Sequence, residues 1–254
     1  MIEQILHTEI EKCLSELYSA EKQNIPFQKT RKEFDGDVTL VVFPLLRSSK
    51  KGPEQTAEEI GIYLKEKVDE IITHSLGWDI TDFGLGDFKK TGICIFTIRN
   101  GSPENLKLGK GKLYAEKVFF LYKNQEVPLH YHWIKVEDVI NRAGGAVGVQ
   151  LYNSTKDDGL DSTIISASID GEKIDIEAGK EFFLKSGESI TLMPGVYHRF
   201  WCPDENVLVG EVSLVNDDRN DNKFYEPVGR FPKIDEDEEP IHLLCNEYLN
   251  FIDG

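Results

Sequence analysis

Apolar residues return every three or four positions at the start of the chain. Ile2, Leu6, Ile10, Cys13, Leu14 and Leu17 fall on one side of a helical wheel, and Glu3, Glu9, Glu11 and Lys12 on the other. The spacing predicts an amphipathic helix, ended by Asn24-Ile25-Pro26 because proline lacks the N–H that a helix interior requires. Asp35-Gly36-Asp37 reads as a turn, and the β-branched run 38–43 as a short strand closed by Pro44. Lys50-Lys51-Gly52-Pro53 reads as a polar loop, and Thr56 with Glu59 as a capping box opening a second helix. Its apolar stripe is Ile60, Leu64, Val68 and Ile71, running out near His74 and Gly77. Packing alone explains both stripes. His7, His74 and the distant His242 lack ligand-like spacing.

From Trp78 the texture changes to short β-type runs. Strands are predicted at 93–98, 117–122, 146–152, 181–184, 189–192, 198–202 and 207–215, separated by Gly, Asn and Asp. Closely spaced short strands favour a sandwich or barrel over βαβ units. No internal repeat stands out, and the acidic run 235–239 reads as solvated surface. The chain is therefore mainly β, with a helical extension over 1–75 and a β domain over 76–254.

Composition narrows the partners. A chain of 254 residues suits one large domain or one domain with an appendage. Its net charge of −16 argues against nucleic acid and anionic membranes, which reward clustered Lys and Arg, and against a strongly anionic substrate. No apolar run approaches the roughly 20 residues that span a bilayer. The N-terminus has neither a basic start nor an apolar signal core. Cys13, Cys94, Cys202 and Cys245 are scattered without C-x-x-C spacing, as expected of reduced thiols in a cytoplasmic protein.

The chemistry concentrates in two stretches. In the first, 127–144, alternation along a strand puts His130 and His132 on one face, and Glu137 follows where the strand is expected to turn. Two imidazoles and a carboxylate suit a divalent metal, but three ligands leave the site incomplete. The fourth candidate is His198, three residues beyond the glycine of a Pro194-Gly195 turn. Together they read H-x-H-x4-E-x6-G, then G-x6-P-G-x2-H. The pair resembles the motifs of the cupin superfamily, whose jelly-roll β-barrels hold a metal on three histidines and one glutamate. One departure is the proline, which directly precedes the glycine instead of lying two residues ahead.

A cupin barrel does not fix a reaction. Four stretches narrow it: Gly77-Trp78-Asp79-Ile80-Thr81-Asp82-Phe83-Gly84, Phe96-Thr97-Ile98-Arg99-Asn100-Gly101, the metal motif running into Asn141-Arg142, and Gly210-Glu211-Val212-Ser213-Leu214-Val215-Asn216-Asp217-Asp218. They resemble the D-lyxose ketol-isomerase family within the cupins, over roughly residues 76 to 233. Nothing before residue 76 carries a comparable resemblance. The resemblance implies a divalent metal, usually Mn²⁺, and interconversion of D-lyxose with D-xylulose, often also D-mannose with D-fructose. It also implies a homodimer.

Such a reaction moves a proton between C1 and C2 through an enediol. It needs a metal on the carbonyl, a carboxylate to carry the proton, and cations beside the developing oxyanion. His130, His132, Glu137 and His198 would leave two positions of an octahedral site for sugar oxygens; Zn²⁺, Fe²⁺ or Co²⁺ would satisfy the same donors. Glu211, in the apolar run 207–212, is the expected proton carrier, because an idle carboxylate there is costly to bury. Glu137 is the second candidate. Lys117 shares a strand face with Phe119 and Leu121 and is expected to hold the enediolate, with Arg230 as a further cation. Asp221 is a candidate for sugar hydroxyls, and Trp133 with Tyr131 for the pocket wall. The lack of a basic or Gly-rich phosphate cradle favours a free sugar. Two alternatives use the same ligands: an Fe²⁺-dependent dioxygenase, which an apolar cavity would favour, and a non-catalytic sugar-binding cupin.

Overall fold

A computed structural model of the chain describes residues 2–31, 38–232 and 241–248. The turn expected at 35–37 and the acidic run at 235–239 lie outside the described residues. The chain divides into two compact units, Met1–Glu70 and Ile71–Gly254, where the sequence reading placed a boundary after residue 75.

The first unit is built on α1 (Ile2–Tyr18), the short α2 (Leu46–Ser49) and α3 (Pro53–Thr73), with a hairpin of β1 (Phe27–Lys29) and β2 (Val38–Leu40). Ile10, Cys13 and Leu14 from the first stripe pack with Ile60 from the second, together with Tyr63, Ile25 and Leu45, and Leu64 of the second stripe packs against them. The side chains of Ile2 and Val68 lie outside the described residues. The capping box does not form. Helix α3 starts three residues earlier, at Pro53, where the missing N–H costs nothing. The Thr56 hydroxyl pairs instead with that of Ser49 at 2.8 Å, and Glu59 accepts from Lys51 and Tyr18.

Among its described residues the second unit holds the end of α3, a short helix α4 (Pro103–Leu108) and a series of strands. In chain order its strands are β3 (Gly77–Thr81), β4 (Ile93–Arg99), β5 (Tyr114–Leu121), β6 (Glu126–Tyr131), β7 (Glu137–Gly144), β8 (Val147–Ser154) and β9 (Leu160–Asp161). After these come β10 (Ile165–Ile169), β11 (Glu172–Ile176), β12 (Glu181–Leu184), β13 (Ser189–Leu192), β14 (Val196–Trp201), β15 (Val207–Leu214) and β16 (Lys223–Phe224). The larger sheet runs β11-β10-β13-β7-β15-β5-β4-β3 and the smaller β12-β8-β14-β6-β16, with β9 on β8. Ile95, Phe119, Val139 and Val209 from one sheet share a core with Val149, Leu151, Leu184 and Phe200 from the other. Two antiparallel sheets closed on a common apolar interior give the cupin-type barrel expected from the motifs.

Two local features differ from expectation. Glu137 does not sit at a turn but opens β7, across the barrel from β6. The β10–β11 hairpin escaped notice because β11 is almost wholly exposed and lacks a buried alternate face. Its turn, Asp170-Gly171, has φ of 49° and 89°, the pair of left-handed residues that a two-residue hairpin requires.

Candidate active site

Strand β6 ends at Tyr131, so His130 lies within it and His132 just beyond. Neighbouring β14 places His198 directly opposite His130. Gly195, at φ 78°, makes the turn into β14, and its N–H donates to the His132 carbonyl at 2.9 Å. That bond ties the two motif segments together. Each ring then spends one nitrogen on backbone: Nδ1 donates to Pro128 O from His130 (2.8 Å), to Val196 O from His198 (3.0 Å), and to Asp221 O from His132. A neutral imidazole that donates through Nδ1 carries a bare lone pair on Nε2.

Those lone pairs converge. Ligand nitrogens of the three rings lie within 4.8 Å of one another, and Nε2 of His130 stands 3.1 Å from Nε2 of His198. Two lone pairs at that separation repel unless a cation lies between them. The Nε2 of His132 has no hydrogen-bond partner among the described residues. A proton is a poor candidate for the cation. Burial and then the two neighbouring rings hold His130 well below the usual histidine range, while burial and then Lys135 push His132 down to about 3. Glu137 adds oxygen, with Oε1 3.0 Å from His198 Nε2 and Oε2 3.6 Å from His132 Nε2. Burial works to protonate that carboxyl, but Lys135, His132 and His198 outweigh it and hold the pKa well below the ordinary carboxylate value. Three nitrogens and one oxygen, without thiolate, fit a divalent metal.

From Glu137 a line of alternating charge crosses the larger sheet. Lys135 Nζ lies 2.6 Å from Glu137 Oε2 and 3.0 Å from Glu211 Oε1. Lys117 Nζ lies 3.6 Å from Glu211 Oε1 and 3.8 Å from Asp218 Oδ1, and donates to the Asn216 carboxamide. Arg230 bridges Asp218, at 3.0 Å, and Asp79. Sheet register explains part of the line, since Lys117 of β5 and Val139 of β7 flank Glu211 of β15 on one rung. The Ser213 hydroxyl lies 2.9 Å from Glu211 Oε1. Burial opposes the charges on Lys135, Arg230 and Asp218, yet opposite neighbours prevail: both cations are raised in pKa and Asp218 lies well below its usual range.

A cavity opens onto these groups. Of the residues singled out from sequence, His130, His132, His198, Glu137, Glu211, Lys117 and Arg230 line it. Trp133 does not; it is 48 % exposed. Tyr131 packs edge-on against Trp133 and Tyr197 and is likewise outside the lining. Asp221 is also outside. Its carboxylate accepts the N–H groups of Trp133, Ile134 and Lys135 at 2.8 to 2.9 Å, and its carbonyl takes the His132 ring, so it orients that ring instead of meeting solvent. Lys135, Asp218 and Asp79 were not singled out from sequence. For Lys135 the signal was its position two residues before Glu137, the spacing that shares a strand face.

A family model described as D-lyxose isomerase matches residues 55–248. A D-lyxose/D-mannose isomerase of Serratia proteamaculans is 48 % identical over 185 residues, covering 72 % of this chain and 80 % of that protein. A solved structure, Acinetobacter sp. DL28 L-ribose isomerase in complex with L-ribose, aligns with 67 % of this chain and 88 % of its own, at 18 % identity and a TM-score of 0.42. A stretch of 77 residues, 28 % of this chain, is 52 % identical to an arginine–tRNA ligase of Phocaeicola vulgatus, of which it covers 12 %. Residues before 76 offered the sequence reading no family resemblance.

Proposed function

The chain belongs to the D-lyxose isomerase family and is an aldose–ketose sugar isomerase, and we propose that its substrate is a free sugar. D-Lyxose with D-xylulose is the proposed pair, and D-mannose with D-fructose the second. The observation that carries this reading is the convergence of three bare imidazole nitrogens and Glu137 beside a buried Lys135–Glu211 pair. Mn²⁺ is the proposed metal, held by His130, His132, His198 and Glu137.

The bound cation supplies a Lewis acid that polarises the sugar carbonyl. Glu211 takes the proton from C2 of the aldose and, after partial exchange with solvent, delivers a proton to C1, while the hydroxyl proton passes from O2 to O1. Ser213 and Lys135 fix the Glu211 carboxylate for that transfer. Lys117 and Arg230 face the oxygen on which negative charge grows, and both are already locked by Asp218, so little reorganisation accompanies the step. The apolar walls from Phe83, Phe119 and Phe224 keep water from the reacting carbons.

A homodimer is proposed as well. On the outer face of the larger sheet, Ile80, Cys94, Phe120 and Leu208 form one continuous rung, beside Trp78, Phe96 and Val118 on the next. Ile80 and Phe120 are each 41 % exposed in the single chain. The chemistry proposed uses the second unit alone.

The test is incubation of metal-stripped protein with free aldoses in D₂O, anaerobically, with and without Mn²⁺. Ketose carrying solvent deuterium, formed only with metal, is expected. Such a product excludes both the dioxygenase and the non-catalytic alternative. Absence of ketose from every aldose, with metal restored, defeats the proposal.

A further inference from the structure

We infer that Asn100, which does not line the cavity, is a positioning residue that sets where the Lys117 ammonium and the Arg230 guanidinium stand. The inference rests on the reading above, which gives those two cations a place beside the sugar oxygens. Asn100 lies one residue past β4 and is buried. Its carboxamide makes a pair of hydrogen bonds with the backbone of one residue: Asn216 N–H donates to Oδ1 at 2.9 Å, and Nδ2 donates to Asn216 O at 3.0 Å. Nδ2 also reaches His74 O at 3.2 Å. One hydrogen bond lets a loop pivot; two to the same residue fix its orientation as well as its distance.

Asn216 and Asp218 are among the acceptors that hold the cations, beside Glu211 on Lys117 and Asp79 on Arg230. The Asn216 carboxamide oxygen accepts from Lys117 Nζ, and Asp218 stands 3.8 Å from Lys117 and 3.0 Å from Arg230. The loop leaving β15 therefore holds both cations and is itself held by Asn100. Gly101 reports the same fit independently. A Cβ there would stand 1.9 Å from the Lys112 carbonyl and 2.8 Å from Val215 Cγ2. The corner at 100–101 is pressed against the residue preceding Asn216, so corner and loop move together or not at all.

A shift of the order of 1 Å in a group that meets the transition state costs about 10²-fold in rate. Asn100→Ala is expected to lower kcat about 10- to 100-fold with Mn²⁺ and D-lyxose, and to move KM far less. The deciding measurement is a double-mutant cycle with Lys117→Met. Because Arg230 keeps its share of the effect, Asn100→Ala is expected to cost at least about 3-fold less in the Lys117→Met background than in the wild type. A residue that merely holds the fold costs the same in both backgrounds, and that equality overturns the inference. Tryptophan-fluorescence melts check folding. Where Asn100→Ala fails to fold, Asn100→Asp runs the same cycle, since it keeps the acceptor for Asn216 N–H while replacing the donor with a charged oxygen. Wild-type protein that isomerises no aldose sinks the proposed function; active wild type with an additive cycle sinks only this inference.

Discussion

Replacing Lys135 by Met removes the cation between two buried carboxylates while keeping most of the side-chain volume. Glu137 and Glu211 are 3 % and 4 % exposed, and Lys135 Nζ lies within hydrogen-bond distance of both. Burial alone would drive a proton off Lys135; the carboxylates of Glu137, Glu211 and Asp218 more than offset it and raise its pKa. Without the ammonium, two desolvated negative charges face each other. Deleting one partner of a buried ion pair costs about 3–5 kcal/mol. For a unit of this size each kcal/mol moves Tm by about 2–4 °C, so a fall of roughly 6–20 °C is expected. Metal would hold Glu137 and mask part of the loss, so the melt is run on metal-stripped protein. Trp78, Trp133 and Trp201 all lie in the second unit, so their fluorescence reports that unit alone. Lys135→Met with Glu211→Gln removes the second charge too and is expected to recover at least about half of the loss. A Tm drop below about 2 °C, or a double variant no more stable than the single, refutes the argument.

Glu211→Gln is expected to lower kcat by about 10²- to 10⁴-fold with unchanged metal stoichiometry. Retention of more than a tenth of the activity would remove Glu211 as the proton carrier and point to Glu137. Asp221→Ala frees the three amides beside His132 and is expected to weaken metal binding about 10- to 100-fold, read by competition with a chelating dye; an unchanged Kd contradicts the orienting role. His132 titrates near 6.5 when unfolded and at about 3 in the folded chain, so the unfolded state takes the proton first. Its stabilising contribution is complete above pH 6.5 and is lost as pH falls toward 3. Between pH 7 and 5 the metal-free protein should lose about 2 kcal/mol through His132, with His130 acting in the same direction. Equal melting temperatures at pH 7 and pH 5 would show that these rings are not buried neutral.

What could be read from the sequence was what lies close along the chain or obeys a period. The H-x-H spacing and the Pro194-Gly195 turn located the three histidines, and alternation placed Lys117 with Phe119 and Leu121 on the inward face of β5. What escaped depends on long-range neighbours. Lys135 stands in a run expected to turn, and a lysine near a turn is by default exposed; only its partners Glu137 and Glu211, the latter 76 positions away, make its burial tolerable. Asp221 reads as an ordinary polar loop residue, but its acceptors serve amides 86 to 88 positions earlier. Asp79 sits between Trp78 and Ile80, an inward charge in an apolar strand, the same signal that singled out Glu211. At the other end of the chain Thr56 and Glu59 matched a capping pattern that Pro53 overrode.

The two sheets contribute different chemistry, and the division bears on substrate charge. The smaller sheet and its edge supply the three imidazoles, from β6, the residue just past it, and β14. The larger sheet and its loops supply an alternating line of four acids, Glu137, Glu211, Asp218 and Asp79, and three bases, Lys135, Lys117 and Arg230. Four negative and three positive charges leave −1, and a divalent cation on the imidazoles turns the site to +1. In the proposed reaction the proton leaving C2 stays in the site on Glu211, so site and sugar would together remain at +1, and the oxyanion would grow among groups whose sum is positive. A sugar phosphate would bring about two further negative charges, and the lining cations Lys117 and Arg230 are already committed to Asp218. D-Mannose is therefore expected to be turned over at least about ten times faster than D-mannose 6-phosphate, measured as kcat/KM with Mn²⁺ in excess of the phosphate. Equal or greater efficiency on the phosphate would mean that a cation in the cavity is free to pair with it, contrary to the network seen here.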